Sequence, residues 1–220
     1  MTFLYNKVMI KAVLFDLDGT LIDSETYYVN ETYKYVVLHN KQIKREDCFG
    51  IIGLTMPETY EYVSKLVNLD YQTTQKEYDQ HFIENKIVFK DLLFGDVTDC
   101  FDYLKKNNIS IGICSMSNET YVKKCIEDCG LGKYVDYYIG GDECKHNKPN
   151  PEIYLKALNV LKMEQKNVIV VEDAATGIMA GKNAGLYVVA RDASRFKMKQ
   201  DLADIIIKDL KELINIINYE

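Results

Sequence analysis

Tryptophan is absent from this chain of 220 residues, and proline occurs only three times. No apolar stretch approaches the roughly 20 residues that a membrane-spanning helix needs, which predicts that the protein has no membrane partner. Acidic residues outnumber basic ones by 33 to 27, giving a net charge of -6. Because nucleic-acid backbones attract clustered positive charge, this balance also predicts no nucleic-acid partner.

Closely paired cysteines are lacking as well. The six cysteines contain no Cys-x-x-Cys motif and the three histidines do not supply the missing ligands, which argues against a structural zinc site. Several cysteines lie in apolar or helical contexts, which is typical of free thiols in a reducing compartment. With no signal-peptide pattern, we expect a cytoplasmic protein. The residues before Met9 are expected to be either a loosely ordered extension or the product of an upstream start.

What the chain does have is an alternation of strand-like and helix-like segments, most clearly from about Asp96 onward. Each strand candidate is largely apolar, as strands buried on both faces are. The candidates are Val13–Phe15, Ile109–Cys114, Tyr137–Ile139, Val168–Val171 and Leu186–Ala190. The sequence therefore predicts an α/β fold with a doubly wound, Rossmann-like parallel sheet that helices cover on both faces.

Two helix boundaries carry recognisable end signals. Asn150 is expected to cap a helix whose first residue is Pro151, because this pair combines a preferred N-cap with a preferred first helical residue. A second helix is expected from about Ala175 to Ala184, with Gly185 as its left-handed terminator.

The segment 24–90 has helical periodicity and no convincing buried strand. A helical block inserted directly after the first strand cannot belong to the parallel sheet. We therefore predict a core domain of residues 1–23 and 91–220 and a small α-helical cap domain of residues 24–90. Ligands bind at the carboxyl edge of doubly wound sheets, where a hinged block can close over them. Most of the many tyrosines in this block are expected to pack its helical core rather than to form an aromatic wall for a ligand.

The first strand candidate ends in Asp16 and Asp18, which Gly19 and Thr20 follow. Alternation along a strand points both carboxylates the same way, where they repel one another unless a cation or a proton intervenes. This pattern indicates metal-assisted chemistry, with one carboxylate as nucleophile and the other as acid/base. The structural alternative is a strand followed by an ordinary Asp-Gly turn.

Three more polar groups follow strand candidates, and each has a structural alternative. Ser115 offers a hydroxyl and nearby backbone N–H groups to a phosphate oxygen, or caps the helix that follows. Lys148, in a loop stiffened by two prolines, offers a positive charge to a phosphate, or is a solvated surface lysine. Glu172 and Asp173 offer the hard oxygen ligands that Mg²⁺ prefers, or are solvated loop acids.

In this order, the motifs resemble those of the haloacid dehalogenase superfamily. The helical insert resembles a C1-type cap, and within the superfamily the chain looks most like the β-phosphoglucomutase-like phosphatases. The resemblance extends from Lys11 onward and is strong in the core and weak in the cap. It is carried by Phe15–Glu25, Ser115, Lys148–Pro149 with Pro151, Val171–Asp173, Gly177–Ile178 and Ala184–Gly185.

The resemblance implies a Mg²⁺-dependent phosphatase that hydrolyses a small phosphorylated metabolite through an aspartyl-phosphate intermediate. Asp16 is then the nucleophile, and Asp18 is the acid that later acts as base toward the hydrolytic water. The implied phosphate-binding residues are Ser115, Met116 and Lys148. The implied metal ligands are Asp16, Asp18 through its backbone carbonyl, Glu172 and Asp173.

Other activities are weighed against this one. A dehalogenase needs neither Asp18 nor a metal. A sugar phosphomutase, a β-phosphoglucomutase-like isomerase, is expected to carry a histidine where this chain has Tyr28 and an arginine where it has Met56. A non-catalytic phosphate-binding module is disfavoured because every catalytic residue type is present. The substrate is expected to be selected in the cap, and the candidate specificity residues are Ser24, Tyr28, Thr55 and Met56.

Overall fold

The computed structural model describes residues 9–219, so the expectation for the residues before Met9 lies outside the described part. The chain divides into two compact units, one formed by Met1–Ile22 with Phe89–Glu220 and the other by Asp23–Val88. None of the helices within residues 9–219 combines the length and the apolar character that crossing a membrane requires.

The larger unit is built on a six-stranded sheet in which every neighbouring pair is parallel. The strands are β1 Ala12–Phe15, β2 Ser110–Cys114, β3 Tyr137–Ile139, β4 Val168–Glu172, β5 Tyr187–Arg191 and β6 Ile205–Ile207. Their order is β3-β2-β1-β4-β5-β6, so the chain runs outward from β1 in both directions. The predicted doubly wound parallel sheet is confirmed.

Helices connect the strands, and the first three α-helices lie in the smaller, inserted unit, Asp23–Val88. The α-helices are α1 Ser24–His39, α2 Met56–Val67, α3 Tyr71–Glu84, α4 Phe89–Leu92, α5 Val97–Lys106, α6 Glu119–Asp128, α7 Glu152–Leu161, α8 Ala175–Asn183 and α9 Leu210–Tyr219. Short 3-10 helices lie at Arg45–Ile51, Gly141–Glu143, Gln165–Asn167 and Ser194–Phe196.

The central strands β1 and β4 are buried along their whole length, which explains why their apolar runs identify them in the sequence. The edge strand β6 was not predicted. Its residues Ile205 and Ile206 are 38% and 49% exposed, because a strand at the edge of the sheet is covered less completely than a central one.

The start of α7 differs from the prediction by one residue. Pro151 is the N-cap and Glu152 the first helical residue, while the Asn150 side chain accepts a hydrogen bond from the Glu152 N–H at 3.0 Å. Asn150 therefore still satisfies a free amide at the helix start, although it stands outside the helix. The predicted terminator Gly185 does adopt a left-handed conformation, with φ of 73°.

The unit Asp23–Val88 is helical and contains no strand in any of its residues. Tyr35, Tyr60 and Tyr78 are buried in it, and the Tyr78 hydroxyl lies 2.6 Å from that of Thr32. These tyrosines form part of the helical core, and buried hydroxyls of this kind require a hydrogen-bond partner.

A buried ion pair joins four segments of the larger unit. The Arg191 guanidinium, at the end of β5, contacts the Asp96 carboxylate at 3.0–3.2 Å and donates to the Thr20 carbonyl at 3.2 Å. It also lies 3.8 Å from the centre of the Phe94 ring. Asp96 in turn accepts a hydrogen bond from the Leu210 N–H at 2.8 Å, at the start of α9. The pair therefore fixes the loop after β1 against the helices that follow in the chain.

Replacing Asp96 by alanine is expected to lower the free energy of unfolding by about 3–5 kcal/mol, because it leaves the Arg191 charge buried and unpaired. Urea unfolding followed by circular dichroism measures this change. Lys105→Ala is the matched control, since it breaks the half-exposed pair with Asp136 (2.7 Å) and is expected to cost less than about 1 kcal/mol. Equal losses in the two variants would contradict the role given to the Arg191 pair.

Candidate active site

Three buried acids meet at the carboxyl ends of β1 and β4. The two strands pair in parallel with Phe15 opposite Val171, so Asp16 and Glu172 stand next to each other at this edge. The Asp16 N–H donates to the Val171 carbonyl at 2.9 Å, which continues the pairing by one residue. Asp173 follows directly, and carboxylate oxygens of the three acids all lie within 4.8 Å of one another.

The Lys148 ammonium reaches into this acidic group from the loop before α7. Its Nζ lies 2.6 Å from Asp16 Oδ1, 2.6 Å from Glu172 Oε1 and 2.8 Å from the Cys114 carbonyl oxygen. These three acceptors match the three protons of an ammonium group. The Lys148 side chain is 3% exposed, so the interpretation of Lys148 as a solvated surface lysine is wrong.

The charges of this group do not balance, since one ammonium faces three carboxylates. Burial raises the pKa of Asp16 from 3.8 to about 8, with Glu172 acting in the same direction and Lys148 against it. The pKa of Lys148 is raised by its two carboxylate partners, against the effect of burial, so the lysine keeps its charge. Buried carboxylates in excess of cations are the hard oxygen donors that bind divalent metal ions, and the donor set fits such an ion.

The backbone is shaped to admit Asp173. Gly19 has a φ of 79°, and a Cβ at this position would overlap the Asp173 carboxylate. The Thr20 hydroxyl donates to Asp173 Oδ1 at 3.3 Å, and the Gln200 amide donates to the Asp173 carbonyl at 2.7 Å. Glu172 and Asp173 are 1% and 3% exposed, so they are not solvated loop acids.

The Asp18 side chain does not join the acidic group. Its Oδ1 accepts a hydrogen bond from the Tyr121 hydroxyl at 2.9 Å, and its Oδ2 accepts one from the Ser117 hydroxyl at 2.9 Å. Strand alternation does not extend to Asp18, because β1 ends at Phe15 and the chain turns at once. Three successive amides, those of residues 20–22, donate to the Leu17 carbonyl in this turn. The expectation of two carboxylates converging on one cation therefore fails for the Asp18 side chain.

Ser115 and Met116, the predicted phosphate-binding pair, follow β2. The Ser115 hydroxyl accepts from the Ser117 N–H at 3.0 Å and lies 3.5 Å from Asp18 Oδ2, whereas Asn118 is the N-cap of α6. The alternative of Ser115 as a helix cap is therefore wrong. Met116 is half-exposed, and its sulfur accepts from the Lys148 N–H at 3.4 Å. The strand end thus contacts the lysine loop directly.

The four candidate specificity residues belong to the inserted unit. Ser24 is fully buried, and its hydroxyl has no hydrogen-bond partner among the described residues. Tyr28 packs on Tyr27, with ring centres 5.2 Å apart. The Thr55 hydroxyl donates to Glu58 at 2.6 Å in a capping box at the start of α2, which occupies it structurally. Met56 is 51% exposed.

Sequence reasoning did not single out three residues that contact the site acids. Ser117 and Tyr121 hold Asp18, and the fully buried Tyr154 donates to Glu172 Oε1 at 2.5 Å. In the sequence, Tyr154 is one member of the apolar stripe of α7, and only the need of a buried phenol for an acceptor distinguishes it. Tyr121 lies four residues after Ser117, a spacing that ordinary helix patterns also produce.

A family model, curated relatives and a solved structure all match most of this chain. The family described as haloacid dehalogenase-like hydrolase matches residues 13–191. A phosphorylated carbohydrates phosphatase from Thermotoga maritima is 27% identical over 94% of this chain and 98% of its own length. The pyrophosphatase PpaX of Bacillus velezensis is 31% identical over 80% of each chain. The solved β-phosphoglucomutase of Clostridium difficile has a TM-score of 0.68 at 22% identity, covering 96% of this chain and 98% of its own.

The raised pKa of Asp16 predicts a pH dependence of stability in metal-free buffer. The folded protein keeps a proton on Asp16 up to about pH 8, whereas the unfolded chain loses it near pH 3.8, so the contribution of Asp16 to stability is lost as the pH rises between these values. Urea unfolding in a chelator, at about pH 5 and about pH 8, is expected to show a larger loss in wild type than in Asp16→Asn. Parallel losses in the two proteins would contradict this assignment.

Proposed function

The chain belongs to the haloacid dehalogenase-like hydrolase family, and we propose that it is a Mg²⁺-dependent phosphatase acting on a small phosphorylated metabolite. The observation that carries the proposal is the buried Asp16 carboxylate, held 2.6 Å from the Lys148 ammonium within a group of acids that retains excess negative charge. Such a group suits a divalent cation and, with the cation bound, a phosphoryl anion.

Asp16 is proposed as the nucleophile. Its carboxylate oxygen attacks phosphorus in line with the leaving oxygen, so that a P–O bond to the carboxylate forms while the P–O bond to the leaving group breaks. The leaving oxygen takes its proton from Asp18. In the second step a water molecule gives a proton to the Asp18 carboxylate and attacks the aspartyl-phosphate, which releases phosphate and restores Asp16.

The phosphoryl oxygens are assigned to residues at the ends of β2 and in the α7 loop. Lys148 is already positioned beside Asp16, so its charge can act on both the nucleophile and the phosphoryl group. The Ser115 hydroxyl and the backbone of Met116 lie at the end of the neighbouring strand and are proposed as further donors. Fixed donors of this kind supply most of the catalysis in phosphoryl transfer.

Mg²⁺ is proposed to be held by carboxylate oxygens of Asp16 and Asp173 and by the backbone carbonyl of Asp18, with Glu172 close by. When bound, the ion would neutralise charge on the phosphoryl group and on the attacking carboxylate. Support comes from the buried donor set and from Gly19, where the missing side chain leaves room for the Asp173 carboxylate.

The unit Asp23–Val88 is proposed to be the substrate-selecting cap, with Ser24, Tyr28 and Met56 as better candidates than Thr55, whose hydroxyl is engaged in a helix cap. Tyr28 and Met56 take the place of residues expected in a phosphomutase. One named relative is called a phosphatase and the other a pyrophosphatase, whereas the mutase likeness, at 22% identity, concerns the fold alone. The six free cysteines support a cytoplasmic location.

The protein is expected to release phosphate from a generic aryl phosphate when Mg²⁺ is present and to lose this activity in a chelator. Asp16→Asn should lower kcat by at least about 1,000-fold, because the nucleophile is removed, while the folded protein persists. Phosphate release measures the activity, and the exposed Asp99→Asn on α5 is the matched control. Undiminished turnover by Asp16→Asn would show that another group is the nucleophile.

Incubation with glucose 1-phosphate separates the phosphatase from the mutase. Free phosphate is expected to appear without glucose 6-phosphate if this sugar phosphate is accepted, and ³¹P NMR distinguishes the two products. A hydrolysis screen over phosphorylated sugars, pyrophosphate, nucleotides and cofactors then identifies the preferred substrate. Accumulation of glucose 6-phosphate would establish the isomerase instead.

A further inference from the structure

We infer that Tyr121, together with Ser117, is a positioning residue that orients the Asp18 carboxylate for proton transfer with the leaving oxygen. The inference rests on the proposed phosphatase function and assigns part of the site to the first turn of α6. Tyr121 and Ser117 each lie 2.9 Å from a different oxygen of Asp18. Because each oxygen of Asp18 accepts a hydrogen bond, the orientation of the carboxylate plane is fixed, whereas a single hydrogen bond would let the group rotate.

The geometry leaves Asp18 able to act. A carboxylate offers about four lone-pair positions, and the hydroxyls of Tyr121 and Ser117 take one on each oxygen, while the Ser115 hydroxyl lies farther off, 3.5 Å from Oδ2. Asp18 remains partly exposed, in contrast with Asp16 and Glu172. A proton-bearing position on Asp18 can therefore face a leaving oxygen while the protein holds the rest of the group.

The two partners of Asp18 are hydroxyl groups, which suits a residue that acts first as an acid and then as a base. Hydroxyl groups both donate and accept, so they can hold Asp18 in its protonated and ionised forms alike. Asp16 has a different kind of partner, the ammonium of Lys148, which carries a charge and can only donate. The site therefore gives the proposed nucleophile a charged partner and the proposed acid/base neutral ones.

The Tyr121 ring is itself held in place. The Asn118 side chain caps α6 by accepting from the Tyr121 N–H at 2.9 Å. The buried Phe89 ring packs edge-on against the Tyr121 ring, with centres 4.8 Å apart and an interplanar angle of 89°. A tyrosine fixed at both its backbone and its ring presents its hydroxyl at a defined point, which is what orienting a carboxylate requires.

Leaving-group dependence tests the inference. General acid catalysis matters most for a poor leaving group, so the variants should affect phenyl phosphate far more than 2,4-dinitrophenyl phosphate. Tyr121→Phe is expected to lower kcat/KM by about 10-fold or more for phenyl phosphate and by less than about 2-fold for the dinitrophenyl ester. Ser117→Ala is expected to act in the same direction, and Ser117→Thr, which keeps the hydroxyl, to restore the wild-type ratio.

Tyr134→Phe is the matched control. Tyr134 donates to the Asp102 carboxylate at 2.8 Å and packs edge-on against Phe101, so this substitution removes a similar bond from the same unit away from Asp18. It should leave the ratio of the two kcat/KM values unchanged. Thermal unfolding of each variant establishes that it is folded, and Ser117→Ala carries the test if Tyr121→Phe does not fold.

The outcomes separate the two proposals. If wild type hydrolyses neither ester with Mg²⁺ present, the phosphatase function fails and the inference fails with it. If wild type hydrolyses both but the ratio is unchanged in the folded variants, only the positioning role is overturned. An unchanged ratio includes equal losses on both esters, because general damage to the site does not depend on the leaving group.

Discussion

Lys148 places one buried positive charge between two buried carboxylates, 2.6 Å from Asp16 and 2.6 Å from Glu172. Burying such groups costs several kcal/mol per ion unless their partners are close and well oriented, and here one lysine serves both acids. Asp173 adds a third carboxylate within 4.8 Å, so the group keeps excess negative charge. An anionic phosphate would be repelled by it until a cation binds, which couples cation binding to substrate binding in the proposed reaction.

The two acids of the Asp16–Asp18 motif serve different ends because the backbone separates them. Asp16 continues the pairing of β1 with β4 and so meets Glu172 and Lys148. Asp18 lies in the turn after the strand and instead accepts from the hydroxyls of Ser117, just before α6, and Tyr121, in the first turn of α6. Two identical side chains two residues apart thereby acquire distinct electrostatic surroundings, which is the usual basis for dividing nucleophile and acid/base roles between carboxylates.

The central strands and the acids at their ends were predictable because both signals are local. An apolar run that stops in charged residues identifies β1 and β4, and the carboxyl edge of a parallel sheet brings Asp16, Glu172 and Asp173 together. Other features depend on contacts distant in sequence. Tyr121 reaches Asp18 across 103 positions, and no pattern along the chain marks that pair. The edge strand β6, Ile205–Ile207, was not predicted because an apolar run of three residues is too short to distinguish a strand from a segment of helix.

Gly19 and Gly177 show why the loop after β1, the end of β4 and the start of α8 occur together. A Cβ on Gly19 would overlap the Asp173 carboxylate, and a Cβ on Gly177 would overlap that of Glu172. Each glycine thus leaves space for an acid on another part of the chain, rather than only allowing a turn. An alanine at either position would push a carboxylate out of the group that Lys148 and the proposed cation hold together. The loop after β1, the end of β4 and the start of α8 therefore depend on one another sterically as well as electrostatically, and none of them makes the site alone.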